Sequence, residues 1–274
     1  MPPAIPLATY RLQLTKDFGF DAAAALVPYL RDLGITHLYT SPFLKARPGS
    51  THGYDIVDHE QLNPELGGDA AFLRLSKALK QHDLGLILDF VPNHMGVGSA
   101  DNAWWLDVLE WGEASPYAGY FDIDWSPPKR DLEHKVLLPI LGSTYGDTLV
   151  SGEIALKFER SGGHIDFWYH DHRLPLRPLD YPAVLAELAA NPIFADLLDR
   201  WRAAAPSLGA PGGRDLAAAL KQSLADAARD PDATYLIDAA LAQWQGRAGD
   251  LQSFAPLHEL LERQIGRASC RERV

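Results

Sequence analysis

The stretch LGLILDFVPNHM, Leu84 to Met95, decides how this chain is read, because an unbroken apolar run gives way to Asp89, Pro92, Asn93 and His94. Leu86, Ile87 and Leu88 show no alternation of apolar and polar positions. That pattern predicts a strand covered on both faces, as parallel strands are in α/β proteins. A carboxylate directly after such a strand is costly if buried alone. Asp89 must therefore meet a partner or face a polar cleft at the strand's carboxyl end.

Upstream, Ala8 to Leu14 alternates as a first strand, and Asp21 to Leu33 reads as an amphipathic helix with Asp21 as its cap and Gly34 at its end. Ile35 to Thr40 is a second strand, closing on Ser41 and Pro42 before a long polar loop that contains Ser50, Thr51, His52, Gly53, Tyr54 and Asp55. Asp69 is expected to cap a helix running to about His82, which feeds the strand at Leu86. Strand, helix, strand, helix, strand is the parallel α/β order.

Beyond His94 the repeat stops. Trp104, Trp105, Leu106, Leu109 and Trp111 fall at helical spacing, which assigns the tryptophans to a core in preference to a sugar platform. Asp122 and Asp124 in YFDIDW read as a turn with solvated carboxylates. Val136 to Ile140, Glu153 to Phe158 and His164 to Tyr169 read as short strands, the last two joined by a turn at Ser161 to Gly163. From Pro182 to Ala248 helical periods are broken at Pro192, at Pro206 to Gly213 and at Pro231, and Leu251 to Gln264 is one more helix.

With 274 residues, 47% hydrophobic and 22% charged, the chain can bury a substantial core. A formal net charge of −11 argues against a nucleic-acid partner, which would need clustered Lys and Arg. The single cysteine, Cys270, excludes an internal disulfide and a thiolate metal cage, which fits a reducing cytosol. No apolar span approaches membrane length, and MPPAIPLATYRLQL lacks the basic and long apolar segments of a signal peptide. A cytoplasmic location is the expectation, with no membrane partner.

Asp89, Asn93 and His94 bring a carboxylate, an amide and an imidazole to one strand end, which suits metal ligation or recognition of hydroxyl groups. A catalytic zinc site wants further His at matching spacing, and none stands nearby, so sugar hydroxyls are the better match and no metal is assigned. His52, Gly53, Tyr54 and Asp55 form a second cluster, in which Gly permits a tight backbone and Tyr54 offers a flat face to a pyranose.

Taken together, these segments resemble the α-amylase superfamily, glycoside hydrolase family 13, whose first conserved region has the form D-x-x-x-N-H; here it is Asp89 to His94. ATYRLQL, LYTSPFLKARPGSTHGYDIVDH and FAPLHELLERQ further resemble the maltooligosyl trehalose synthase branch of that family. The resemblance implies the first part of a (β/α)8 TIM barrel, incomplete here, with a mixed and mostly helical insertion after the third strand. The expected divisions are three β/α units over 1–115, an insertion over 116–250, a helix returning toward the barrel over 251–264, and a non-native tail over 265–274 that is set aside from the fold. The implied reaction on a maltooligosaccharide or α-1,4-glucan moves the reducing-end α-1,4 bond to an α,α-1,1 bond, with no organic cofactor. A different family 13 hydrolase and a non-catalytic glucan-binding module are the alternatives.

By the same resemblance Asp89 orients the sugar, His94 binds a hydroxyl, Tyr54 stacks on the ring and Asp55 supports Tyr54. Asn93 matches a position that binds calcium in many amylases. His52 belongs to the same substrate-binding group. A retaining mechanism needs two carboxyl groups about 5 Å apart, and the family supplies them from later strands, so no catalytic residue is assigned within 1–274. Three parallel strands alone are expected to leave an apolar edge open.

Overall fold

The computed structural model describes residues 5–98 and 100–270. The chain divides into two compact units that meet between Ala103 and Trp104.

In the first unit three strands, β1 (Thr9–Leu12), β2 (His37–Thr40) and β5 (Gly85–Leu88), form a parallel sheet in the order β1-β2-β5. Thr40 of β2 lies opposite both Leu12 and Leu88, so the three strands end level with one another. Helices α1 (Phe20–Asp32) and α2 (Gly68–Gln81) connect them, presenting Phe20, Val27, Leu30, Leu75 and Leu79 to a core that includes Leu12 and Leu38. Phe20, Phe43 and Phe72 pack edge to face or tilted within 5.5 Å of one another, the arrangement that aromatic quadrupoles favour.

Several details differ from the sequence reading. α1 starts after Gly19 with no side-chain cap, and Asp21 instead makes a two-pronged pair with Arg74 of α2 at 2.6 and 2.7 Å. α2 follows Gly67 in the left-handed region, again without a side-chain cap, and Asp69 sits in its first turn. The segment expected as one long loop holds an antiparallel hairpin, β3 (Leu44–Ala46) with β4 (Ile56–Leu62), whose register shifts twice. β5 is not covered on both faces: it is an edge strand, and Leu88 and Phe90 keep 40% and 52% of their surface exposed. Among the described residues the parallel sheet is open at both edges.

The second unit opens within α3 (Ala103–Trp111), whose Trp105, Val108 and Leu109 are buried. Strand β6 (Val136–Leu141), helix α4 (Tyr145–Val150) and an antiparallel sheet of β7 (Ile154–Glu159), β8 (His164–Tyr169) and β9 (His172–Pro175) follow. Helices α5 (Tyr181–Val184), α6 (Pro192–Ala204), α7 (Gly213–Ala227) and α8 (Pro231–Ala242) surround a core centred on Tyr181 and Trp201, whose rings stack 4.4 Å apart. Pro192 and Pro231 break the helical pattern because each opens a helix, where its missing N–H costs nothing; Asn191 and Asp230 cap the two helices through their side chains.

The segment 251–264 is a 3₁₀ turn followed by α9 (Ala255–Glu262), and Leu257, Leu260 and Leu261 pack into this unit's own core. Residues set aside as a tail are partly seated in the fold, because β10 (Gly266–Cys270) runs parallel to β6 and buries Ala268; 271–274 lie outside the described residues. All seven tryptophans belong to the second unit.

Candidate functional site

The level carboxyl ends of β1, β2 and β5 bring Arg11, Tyr39 and Asp89 together in the first unit. Asp89 Oδ2 accepts hydrogen bonds from the Tyr54 hydroxyl at 2.6 Å and the Tyr39 hydroxyl at 3.1 Å. Arg11 donates to the Tyr54 oxygen at 3.2 Å and stands 3.7 Å from Asp89, with its guanidinium over the Tyr39 ring. The Asp89 carboxylate, as acceptor, holds the Tyr54 phenol above its usual pKa, and partial burial adds to this. Tyr54 is therefore a protonated donor near neutral pH. The same phenol oxygen raises the Arg11 pKa.

The loop that delivers Tyr54 is tied at several points. The Ser50 hydroxyl donates to Asp55 Oδ1 and accepts the Gly53 N–H, and His52 Nδ1 accepts the Tyr54 N–H at 3.0 Å. Gly53 has φ +76°, and a Cβ there would lie 2.3 Å from the Pro42 carbonyl oxygen, so the turn needs glycine on two counts. Gln13, just past β1, donates to the carbonyls of Thr51 and His52 and accepts from Arg11 at 3.0 Å. Asp55 thus holds the loop, and the loop holds Tyr54.

His94 reaches the same place from the other side. Its Nε2 meets the Tyr54 carbonyl at 3.1 Å and its Nδ1 meets Asn93 Nδ2 at 3.1 Å. Both ring nitrogens of His94 are thus engaged, one by the Tyr54 carbonyl and the other by the Asn93 amide. A hydroxyl ligand would have to replace one of those contacts. Asn93 and His94 are both exposed, whereas the Asp89 side chain keeps only 15% of its surface.

All six residues singled out from sequence, His52, Tyr54, Asp55, Asp89, Asn93 and His94, belong to this one group. Arg11, Gln13 and Tyr39 were missed. The signal available was a polar side chain near the carboxyl end of each of the first two strands, at positions an alternating pattern assigns simply to solvent. Chemically, the group offers an aromatic face, a carboxylate and an imidazole around a donor network. Nothing in it pairs a nucleophile with a base. A cavity of about 440 Å³ in the second unit, between Trp111, Arg177 and Ile265, contains none of these residues.

Residues 24–156 match the α-amylase catalytic domain. A Mycobacterium tuberculosis protein described as a maltooligosyl trehalose synthase is 45% identical over 171 residues, which are 57% of this chain and 22% of that protein. The intracellular maltogenic amylase of Bacillus subtilis is 32% identical over 130 residues, 47% of this chain and 21% of that one. Among solved structures, a glycosyltrehalose synthase superimposes with TM-score 0.64 at 28% identity over 98% of this chain and 27% of its own. The maltooligosyltrehalose synthase of Arthrobacter ramosus gives TM-score 0.54 at 40% identity over 63% of this chain and 21% of its own. The chain spans about a fifth of the length of the curated relatives it matches. It is an α/β chain with no closed sheet among the described residues, as a part of a (β/α)8 barrel would be. On its motif, its matched catalytic-domain segment and its structural neighbours, the chain is similar to the α-amylase family, glycoside hydrolase family 13, and within that family to the maltooligosyl trehalose synthases.

Proposed function

We propose that the whole protein is an intramolecular transglucosylase that converts the reducing-end α-1,4 bond of a maltooligosaccharide into an α,α-1,1 bond, and that residues 1–103 form one wall of its sugar site. The observation that carries this reading is the Tyr54 hydroxyl donated to Asp89 at the end of the parallel sheet, within a D-x-x-x-N-H motif.

In this reading Tyr54 stacks on the reacting sugar, held flat by Asp89, Arg11 and the loop that Ser50, His52 and Asp55 fasten. Asp89 orients Tyr54 and the sugar together. Its Oδ2 is already committed to two phenol donors, which suits a positioning carboxylate better than a nucleophile. His94 takes a sugar hydroxyl by giving up one of its ring contacts, with Asn93 steadying the other nitrogen. The nucleophile and the general acid come from strands outside these 274 residues, so the chain binds without turning over.

Titration of the 274-residue chain with maltopentaose tests this. Binding that Tyr54→Ala weakens, with no change in reducing ends on prolonged incubation, is the expected result. Formation of trehalosyl ends by this chain would overturn the placement of the catalysts, and a rise in reducing ends would point to a family 13 hydrolase instead.

A further inference from the structure

The second unit carries a cluster of three aromatic rings, of which Trp104 and Tyr117 are half-buried and Tyr120 is exposed. Trp104, in the first turn of α3, stacks on Tyr117 with centroids 5.1 Å apart and planes 8° from parallel. Tyr120 leans on both, at 5.1 and 6.3 Å, with its plane inclined by 54° to each. The neighbouring Trp105 is buried against Phe121, yet Tyr120 keeps 69% of its surface exposed. Neither the Tyr117 nor the Tyr120 hydroxyl has a hydrogen-bond partner among the described residues.

The rings are held in place, not loosely disposed. The Ser115 hydroxyl accepts the Tyr117 N–H at 3.1 Å and donates to Asp107 at 2.5 Å. Asp107 is paired in turn with Arg214, whose guanidinium lies over Trp111. Trp104, Asp107 and Trp111 share one face of α3 by their spacing of three and four residues. Aromatics already ordered against one another, as the exposed Tyr120 is against the half-buried Trp104 and Tyr117, cost little further entropy when they bind, and offer a stacking face together with in-plane donors and acceptors. Two ring planes inclined to each other suit a curved chain of sugar rings better than a single flat ligand. The net charge of −11 disfavours a polyanion.

We propose that Trp104, Tyr117 and Tyr120 form a glucan-holding surface of the second unit, taking two or more pyranose rings of a linear α-1,4-glucan. This rests on the glucan reading of the protein and extends it to residues outside the conserved motif.

The test is retardation of the 274-residue chain in native gels containing amylose, with Tyr120→Ala, Tyr120→Trp and Tyr54→Ala compared and circular dichroism confirming the fold of each. Tyr120→Ala should weaken the apparent affinity about tenfold, the order expected for one stacked ring, while Tyr120→Trp retains it. Tyr54→Ala should leave a residual retardation that the added Tyr120→Ala removes. Retardation unchanged in Tyr120→Ala overturns the proposal. Complete loss in Tyr54→Ala alone overturns it while leaving the first-unit site standing, and a parent chain that amylose does not retard overturns both.

Discussion

In the first unit Asp21 and Arg74 join α1 to α2 with both side chains more than half exposed, whereas in the second unit Glu110 and Lys221 meet in the interior between α3 and α7. The two pairs have the same chemistry and opposite cost. Water screens the first and has to be replaced for the second, by Lys221's partner Glu110 and by the Tyr181 ring beneath its ammonium. Beside them the Asp166 carboxylate, fully buried on β8, is raised to a pKa of about 6 by burial despite its bond to Arg173 at 2.8 Å. His164 on the same strand is lowered to about 4, first by burial and then by Lys221. The first unit's helix pair lies in solvent, whereas the second unit buries charges that join α3 to α7 and β8 to β9.

The strongest way to break that contrast is Lys221→Met, which leaves Glu110 buried without its partner. A loss of about 3–5 kcal/mol is expected, recovered in large part by adding Glu110→Leu. Tryptophan fluorescence follows this unfolding in the second unit alone, because the first unit has no tryptophan. An undiminished denaturation midpoint in the single variant would refute the buried pairing.

Gly53→Ala comes next. A side chain at φ +76°, facing the Pro42 carbonyl, should cost about 1–3 kcal/mol and loosen the Tyr54 loop. Faster hydrogen exchange at the Gly53 and Tyr54 amides, with unchanged tryptophan emission, would confine the damage to the first unit.

The pH response sharpens the comparison further. Asp166 has a raised folded pKa, so it contributes stability that is lost as pH climbs from about 4 to about 6. His164 has a lowered folded pKa, so its contribution is lost as pH falls from 6.5 to about 4. Arg173, Lys221 and Glu110 face Asp166, while Lys221, Arg173 and Glu159 face His164. The two slopes oppose each other over nearly one window. Asp166→Asn should therefore leave a stability that rises with pH between 4 and 6, and His164→Gln one that falls; equal slopes in the two variants would contradict the assignment. At the small end, Arg74→Ala should leave denaturation of the first unit unchanged within error, as its pair with Asp21 lies in solvent.

Much of the first unit was legible because its strands and helices are local and its motif compact. The β3–β4 hairpin was not, since IVDHEQL carries too many polar residues and its pairing is irregular, which hides the period of two. Arg11 and Tyr39 were invisible for another reason: they meet Tyr54 and Asp89 across 43 and 50 residues of chain, and only strand order puts them side by side. The Glu110–Lys221 contact spans 111 residues and leaves no mark on either local pattern. Helix starts at Pro192 and Pro231 were legible as breaks because proline acts on its own backbone, whatever the fold around it.

The parallel pairing of β6 with β10 has a consequence in time. The Ser269 hydroxyl bonds the Leu138 carbonyl across 131 residues, so among the described residues β6 meets its strand partner β10 only after most of the second unit has been synthesised. The three described strands of the first unit's parallel sheet have all emerged once Leu88 has been added. The motif-bearing strands can therefore pair before β6 meets β10, whose contact requires a long loop closure.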